Sequence, residues 1–405
     1  MDREKLNKRL LRDLETDPNV KIFYNHQLVS ADFDNKKAVF KRTFPQECSE
    51  KLPPAKLVDI VEEDIPVESV EVSFDQCIGA DGAHSATRHQ LTKHTRVDFQ
   101  QTWIDTFWCE FIAPAAASGG YKMSPNHLHI WPHPEFMFFA APDIVSSQCL
   151  LPPLRVALTK TQNGTFTCNL FASEAVFLDL EAGSSEHLIA LFNTHFPGVI
   201  PDLIRPEAIH SQFFKNRHLP LLDIKCRPYH YRDTCVIVGD AAHAMVPFYG
   251  QGMNTGFEDV RLLFEEFLDR DDDAQGRLQV GQKSGDADAP FSNVLERYTK
   301  TRIPDVHAMN ALALQNYEEL RIGVKSYPTL TRKWIEEFLD VWCPRLQWAT
   351  LYSRVAFGNE RMSEVTRKAQ KQKNILQLLF GFVVLWPLSL VAAFVVLHGR
   401  TSWAI

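Results

Sequence analysis

Hydrophobic and polar positions repeat with different periods along this chain, and the changes of period divide it. Residues 4–15 place Leu6, Leu10, Leu11 and Leu14 on one face of a helix, between charged positions. Val20-Lys21-Ile22-Phe23-Tyr24 reads as a strand. Residues 45–66, rich in Pro, Glu and Asp, read as a loop. Val70, Val72 and Phe74 alternate with Glu71, Ser73 and Asp75, the pattern of a half-buried strand, which runs into Cys77-Ile78-Gly79-Ala80-Asp81-Gly82. From about 95 to 214 the texture is aromatic, with short β-like runs at 107–111, 127–131, 136–139 and 165–171, and predicts an antiparallel sheet. Residues 235–239 return to a buried strand, with a helix to follow. Residues 271–293 are polar and Gly-rich, an insertion expected to be disordered. Residues 294–366 read as helices, with Trp334, Phe338, Leu339 and Trp342 on one face. The expected class is α/β with an inserted antiparallel sheet.

The pattern changes again near the C-terminus. Ile375 to Leu397 contains no charged residue and is dominated by Leu, Val, Phe and Ala. As a helix it would run roughly 35 Å, against about 30 Å of hydrocarbon. Pro387 inside it is tolerated in a membrane helix. Arg367, Lys368, Lys371 and Lys373 flank its start, so a transmembrane anchor is expected, with the main body on the cytosolic side. The N-terminus is charged from Asp2 onward and has no apolar signal region. A net charge of -7 and no basic face argue against a nucleic-acid partner. None of the eight cysteines forms a C-x-x-C pair, so neither zinc nor a disulfide framework is indicated. His127 and His129 alternate on one strand face but offer two ligands at most, so no metal is expected.

Three segments carry candidate chemistry. In Cys235-Val236-Ile237-Val238-Gly239-Asp240-Ala241-Ala242-His243 a buried strand ends in a glycine that permits a sharp turn and close approach of a ligand. Asp240 then lies at the strand's carboxyl end, where open α/β sheets bind ligands, and its carboxylate can accept hydrogen bonds from a chain of hydroxyls. The plainer role for Asp240 is a helix N-cap. His243 reads as a packed histidine at a helix start rather than an acid or base. The loop Pro247-Phe248-Tyr249-Gly250-Gln251-Gly252-Met253-Asn254 feeds a helix whose free N–H groups favour partial negative charge. Asp81-Gly82-Ala83-His84-Ser85-Ala86-Thr87-Arg88 is a second strand–turn–helix, with Ser85 as a candidate cap.

The D-G-x-x-S-x-x-R run followed by G-D-A-A-H-x-x-x-P resembles the group A flavoprotein monooxygenases, FAD-dependent aromatic hydroxylases. Arg3 to Asn7, Pro18 to Lys21, Asn25-His26, Leu128 to Pro132, Val246 to Asn254 and Gly256 to Asp259 are similar to the branch that hydroxylates L-kynurenine beside its aromatic amine, held in the mitochondrial outer membrane by a hydrophobic C-terminal helix. The resemblance implies FAD as cofactor, NADPH and O2 as co-substrates, and a small aromatic substrate. It implies FAD contacts at Arg3, Val29, Asp240, Met253 and Asn254, support from Asp81 and Gly82, and a flavin-lining loop at Pro247, Gly250 and Gly252. No side chain is implied as nucleophile or general base, because the amine already activates the ring.

The same comparison implies an FAD-binding domain at 1–92 and 215–270, Rossmann-like but incomplete. A substrate domain is implied at 93–214, the polar insertion at 271–293, C-terminal helices at 294–374 and the anchor at 375–397. The chain carries no G-x-G-x-x-G, and the family's first βαβ unit, with a substrate-holding Arg and Tyr, has no counterpart in these residues. A start codon assigned too late is the preferred explanation. A diverged non-catalytic paralogue and a short form with weak FAD binding are the others. Two substrate positions of the family, an Asn and a Tyr, fall on Lys325 and Met362. This keeps open another aromatic substrate, or an inactive membrane-anchored chain.

Overall fold

The computed structural model describes residues 3–42, 69–143, 164–266, 271–272, 278–279, 292–321 and 327–381. Helix α1 (Arg3–Glu15) carries the predicted leucine face, with Leu10 and Leu14 partly open to solvent. The strand expected at Val20–Tyr24 is not formed. Phe23 and Tyr24 are exposed, Asn25 turns the chain at φ 58°, and pairing begins one residue later. Strands β1 (His26–Asp32), β2 (Lys37–Arg42) and β3 (Ser69–Ser73) make an antiparallel meander. The Asp32 carboxylate fixes its first turn by accepting from the Asp34 and Asn35 backbone N–H groups. β3 differs from the half-buried expectation. Val70 and Val72 are 38% and 42% exposed, because β3 is an edge whose alternating face meets no other layer among the described residues. The predicted loop at 45–66 lies outside the described residues.

A second, smaller sheet follows. β4 (Cys77–Gly79) leads into α2 (Ala86–His94). The largest sheet then begins with β5 (Asp98–Ala113) and adds β6 (His129–Pro132), β7 (Phe136–Pro142) and β8 (Phe166–Ala172). Helices α3 (Glu174–Ala182), α4 (Ser185–His195) and α5 (Pro206–Lys215) cover one of its faces. β9 (Leu219–Arg227), assigned from sequence to the second part of the FAD-binding unit, hydrogen-bonds along β5 instead. The order is β6-β7-β8-β5-β9, all antiparallel. Period-two geometry sorts the side chains. Phe136, Phe138, Ala140, Phe166, Cys168 and Leu170 face α3–α5, whereas Met137, Phe139 and Phe171 face the opposite layer. Both faces being covered explains why these strands read as continuous apolar runs.

The chain then returns to the smaller sheet through β10 (His230–Tyr231) and β11 (Cys235–Ile237), in the order β10-β11-β4, with β11 parallel to β4. After it come the short α6 (Asp240–His243) and α7 (Gly252–Arg261). Within the expected insertion, β12 (Asp271–Asp272) pairs with β13 (Leu278–Gln279). Helix α8 (Ser292–Arg321) crosses between the sheets and supplies Met309, Leu312 and Ala313 to the second face of the large sheet. Helices α9 (Tyr327–Trp342), α10 (Leu351–Phe357) and α11 (Met362–Phe380) complete the described chain. On α9, Trp334, Phe338 and Trp342 share a face as expected, stacked at 5.9 and 6.5 Å but pointing outward. No helix among the described residues is long and apolar enough to cross a membrane, and residues 382–397 of the expected anchor lie outside them.

Phe138 is fully buried against Phe111, Phe192 and Phe196. Phe138→Ala is expected to cost about 3–5 kcal/mol in a urea melt. Ile112→Ala, at a side chain 56% exposed, should change stability by less than about 0.5 kcal/mol.

Candidate cofactor site

The site is built where β4 and β11 end side by side. The Val238 N–H donates to the Gly79 carbonyl at 2.9 Å, so the two motif-bearing turns leave the sheet together. At Gly239 the backbone takes φ 58°, ψ -144°, a conformation reserved for glycine. The turn leaves Asp240 exposed, and its carboxylate makes no hydrogen bond to any described residue. Ala241, Ala242 and His243 go inward and are buried. A Cβ added at Gly239, Gly250 or Gly82 would meet nothing within 4 Å, so open space lies before three backbone turns of this region. Pro247–Tyr249 forms one 3-10 turn, Gly250 reverses the chain at φ 65°, and α7 starts at Gly252 with its first N–H groups free of helical partners.

The D-G-x-x-S-x-x-R turn is a self-contained cap. Ser85 Oγ donates to Asp81 at 2.5 Å and accepts from the Arg88 N–H at 2.8 Å, while the Thr87 N–H and hydroxyl donate to Asp81. Burial pushes the Asp81 carboxyl up, but the Ser85 and Thr87 hydrogen bonds outweigh it and hold the group below its ordinary value. Asp81 is therefore occupied in shaping the turn. Arg88, buried, donates to the carbonyls of Ala241 and Ala83, each at 2.6 Å, tying α2 to the Asp240 turn. Gln90 on the same helix donates to the carbonyl of Val29, which sits exposed at a bulge in β1. One helix thus links three of the sequence-predicted contacts: Val29, the Asp81-Gly82 turn and Asp240.

The other side of the site rests on α8. Asn316 donates to the Phe248 carbonyl at 2.9 Å. Tyr317 stacks on the Phe248 ring at 4.4 Å and is hydrogen-bonded through its hydroxyl to the buried Thr106 at 2.6 Å. Phe171 lies 5.0 Å from Phe248, and Phe139 stacks on Phe171. The result is an aromatic wall between the large sheet and the Pro247–Gly250 turn. Below the turn, buried Asp259 accepts from His243, Arg302 and the Gly239 N–H. Burial raises its carboxyl, and the neighbouring His243 and Arg302 outweigh that and lower it. His243 is accordingly a packed, paired residue. Burial pushes the thiols of Cys109, Cys168 and Cys226 up to about 12, so none of these is a nucleophile near neutral pH.

Met253 is 39% exposed and heads an apolar stripe with Phe257, Val260 and Phe264. Asn254 and Met362 line one cavity of about 720 Å³ between α7, α8 and the α10–α11 loop. Lys325 lies outside the described residues, as does the side chain of Arg3, whose backbone opens α1. Sequence reasoning missed Thr106, Asp259, Arg302 and Tyr317. Asp259 stood inside a quoted motif, but nothing in the spacing set apart the other three. Asp32, Asp34 and His94 bring ligand atoms within 4.8 Å of one another, though Asp34 already accepts from Tyr231 and Arg232.

Residues 60–270 match the family model described as FAD binding domain. Among solved structures, a point mutant of 2-methyl-3-hydroxypyridine-5-carboxylic acid oxygenase superposes with TM-score 0.52 at 18% identity, over 81% of this chain and 70% of that one. Klebsiella pneumoniae HpxO complexed with FAD and uric acid gives 0.51 at 16%, over 88% and 71%. The architecture is that of the FAD-binding aromatic hydroxylases. Curated relatives narrow the class. The kynurenine 3-monooxygenase of Aspergillus oryzae is 44% identical over 100% of this chain and 71% of its own length. Those of Neosartorya fischeri and Neurospora crassa are 46% and 47% identical, each over 93% of this chain and over 67% and 68% of theirs. The chain belongs to the kynurenine 3-monooxygenase family.

Ser85→Ala should lower stability by about 1 kcal/mol through loss of the cap, read in a urea melt. Because the Asp81 carboxyl is lowered in the folded state, the stability it contributes is complete above its unfolded value and is lost as pH falls through the folded one. Asp81→Asn should flatten that acid limb of a stability-versus-pH curve.

Proposed function

We propose that this chain is an FAD-dependent monooxygenase that converts L-kynurenine to 3-hydroxykynurenine, using NADPH and O2. The observation that carries the reading is Asp240. It is an exposed carboxylate without a partner among the described residues, at the end of a parallel strand and next to the open space before Gly239, on a chain of this family. A carboxylate so placed accepts hydrogen bonds from the hydroxyls of a ribityl chain. The first N–H groups of α7, at Gly252, Met253 and Asn254, favour partial negative charge on a ring system set against them. FAD, when bound, supplies the redox chemistry that couples NADPH oxidation to transfer of one oxygen atom from O2, the other leaving as water.

The remaining work falls to this chain's own residues. Phe248, Phe171 and Phe139 form the apolar, aromatic wall against which a planar substrate ring is held and water excluded. Tyr317 and Asn316 keep Phe248 in place. No side chain has to act as nucleophile or base, since the substrate's amine activates its own ring. Arg3 and Val29 are assigned to the cofactor, and Lys325 and Met362 to the substrate. We also assign residues 375–397, uncharged in sequence, to a helix that anchors the protein in the mitochondrial outer membrane with its body in the cytosol.

Purified in detergent, the chain should bind FAD with a visible flavin spectrum between about 350 and 500 nm and oxidise NADPH faster when kynurenine is present. NADPH oxidation that kynurenine leaves unchanged would remove kynurenine as substrate. Asp240→Ala should weaken FAD binding by about 1.5–3 kcal/mol, and unchanged affinity would take Asp240 out of the site. Removing residues 375–405 should shift the expressed chain from the membrane to the soluble fraction; retention on the membrane would refute the anchor.

A further inference from the structure

The turn that presents Asp240 is gripped from behind by three buried side chains that reach it from different elements. Asp259, on α7, is 0% exposed, and His243 and Arg302 are 1% and 5% exposed. Both oxygens of the Asp259 carboxylate are engaged, by three donors. Oδ2 accepts from the Gly239 N–H at 2.8 Å and from His243 Nε2 at 2.5 Å, and Oδ1 accepts from Arg302 Nε at 2.5 Å. Arg302 Nη2 also donates to the carbonyl of Thr255, in the first part of α7, at 2.9 Å. His243 Nδ1 is buried without a hydrogen-bond partner among the described residues, so the ring's polar engagement there is with Asp259.

Asp240 sits between the two points that Asp259 holds. Gly239, just before it, is fixed through its N–H. The Gly239 carbonyl is fixed too, by the N–H groups of Ala242 and His243 at 2.9 and 3.0 Å. His243, at the far end of α6, is fixed through its ring. The Asp240 side chain has no anchor of its own among the described residues, so its position follows from this backbone. The same carboxylate belongs to α7, which starts at Gly252 and whose Gly256 lies close to the Gly239 backbone. Packing alone does not require such a device, because a buried ion pair replaced by apolar residues of equal volume often leaves stability unchanged or higher. Directional hydrogen bonds from three elements to one carboxylate set an angle that apolar contact cannot.

We infer that Asp259, with His243 and Arg302, forms a positioning triad that fixes the Asp240 turn and the start of α7 at the separation one flavin requires. The inference rests on the assignment of FAD to Asp240. Its members touch neither cofactor nor substrate and act through Gly239, Asp240 and Thr255.

The test uses the full chain with Asp259→Asn and Arg302→Lys. The urea midpoint without cofactor, the FAD dissociation constant from flavin fluorescence, and the visible circular dichroism of bound FAD are each measured. Asp259→Asn should weaken FAD tenfold or more, and Arg302→Lys, which keeps the charge but not the fork, three- to tenfold. Both should alter the flavin dichroism under conditions where the urea melt shows the chain fully folded. Wild-type affinity and dichroism in Asp259→Asn would overturn the inference, as would a loss of FAD that only tracks the unfolded fraction. Should Asp259→Asn not fold, Arg302→Lys decides alone: threefold or more weaker binding with altered dichroism supports the triad, and wild-type values overturn it. Asp240→Ala run alongside separates the two readings, since unchanged affinity there would remove the flavin assignment itself and not the geometry of the triad.

Discussion

The parallel pairing of Cys77–Gly79 with Cys235–Ile237 is the contact on which the site depends. Each of these strands is three residues long, too short to hold itself in place. What secures them is the material on both sides. Arg88 reaches across to the Ala241 carbonyl, and Tyr229, Tyr298 and Leu295 fill the apolar layer behind β11. Parallel strands are stable when both faces are covered. Here the covering elements also place the chemistry, because α2 carries the Asp81 turn and α8 carries Arg302 and Tyr317.

The two halves of the candidate site are stabilised by different physics. On the Asp240 side, the Asp259 carboxylate is buried and held by three hydrogen bonds, and direction matters more than volume. On the Phe248 side, stacked rings from β7, β8 and α8 fill space, and a single buried hydroxyl pair, Thr106 with Tyr317, sets their register. This division suits a pocket that must hold a polar cofactor chain at one end and a flat apolar ring at the other. Along α9 the arrangement is reversed. Trp334, Phe338 and Trp342 stack outward, while Arg332, half-buried, pairs with Glu319 of α8 and with Glu336.

Much of the site was legible in the sequence, because glycine and small residues at fixed offsets leave few backbone solutions. Gly239 followed by Asp240-Ala241-Ala242 could mean little else than a tight turn at a strand end. The antiparallel sheet was legible from its aromatic runs. Helices α3 to α5 were not, since their apolar residues are as dense as those of the strands they cover. The strand expected at Val20–Tyr24 failed for lack of a partner, which no local pattern records. β3 is paired with β2, and its exposure reflects that no described element covers its faces. Arg302, Thr106 and Tyr317 could not be found from sequence, because a charged or hydroxyl side chain in a helix or strand reads as solvated until its distant partner is known.

The bond between Arg88 and Ala241 joins positions 153 residues apart. During synthesis the guanidinium emerges long before the carbonyl that will receive it, and an unpaired arginine cannot enter an apolar interior. Helix α2 therefore has to wait, solvated along that side, while the whole aromatic sheet is made. The smaller sheet cannot close, nor the cofactor turn be tied to α2, until residues 235–241 have been made.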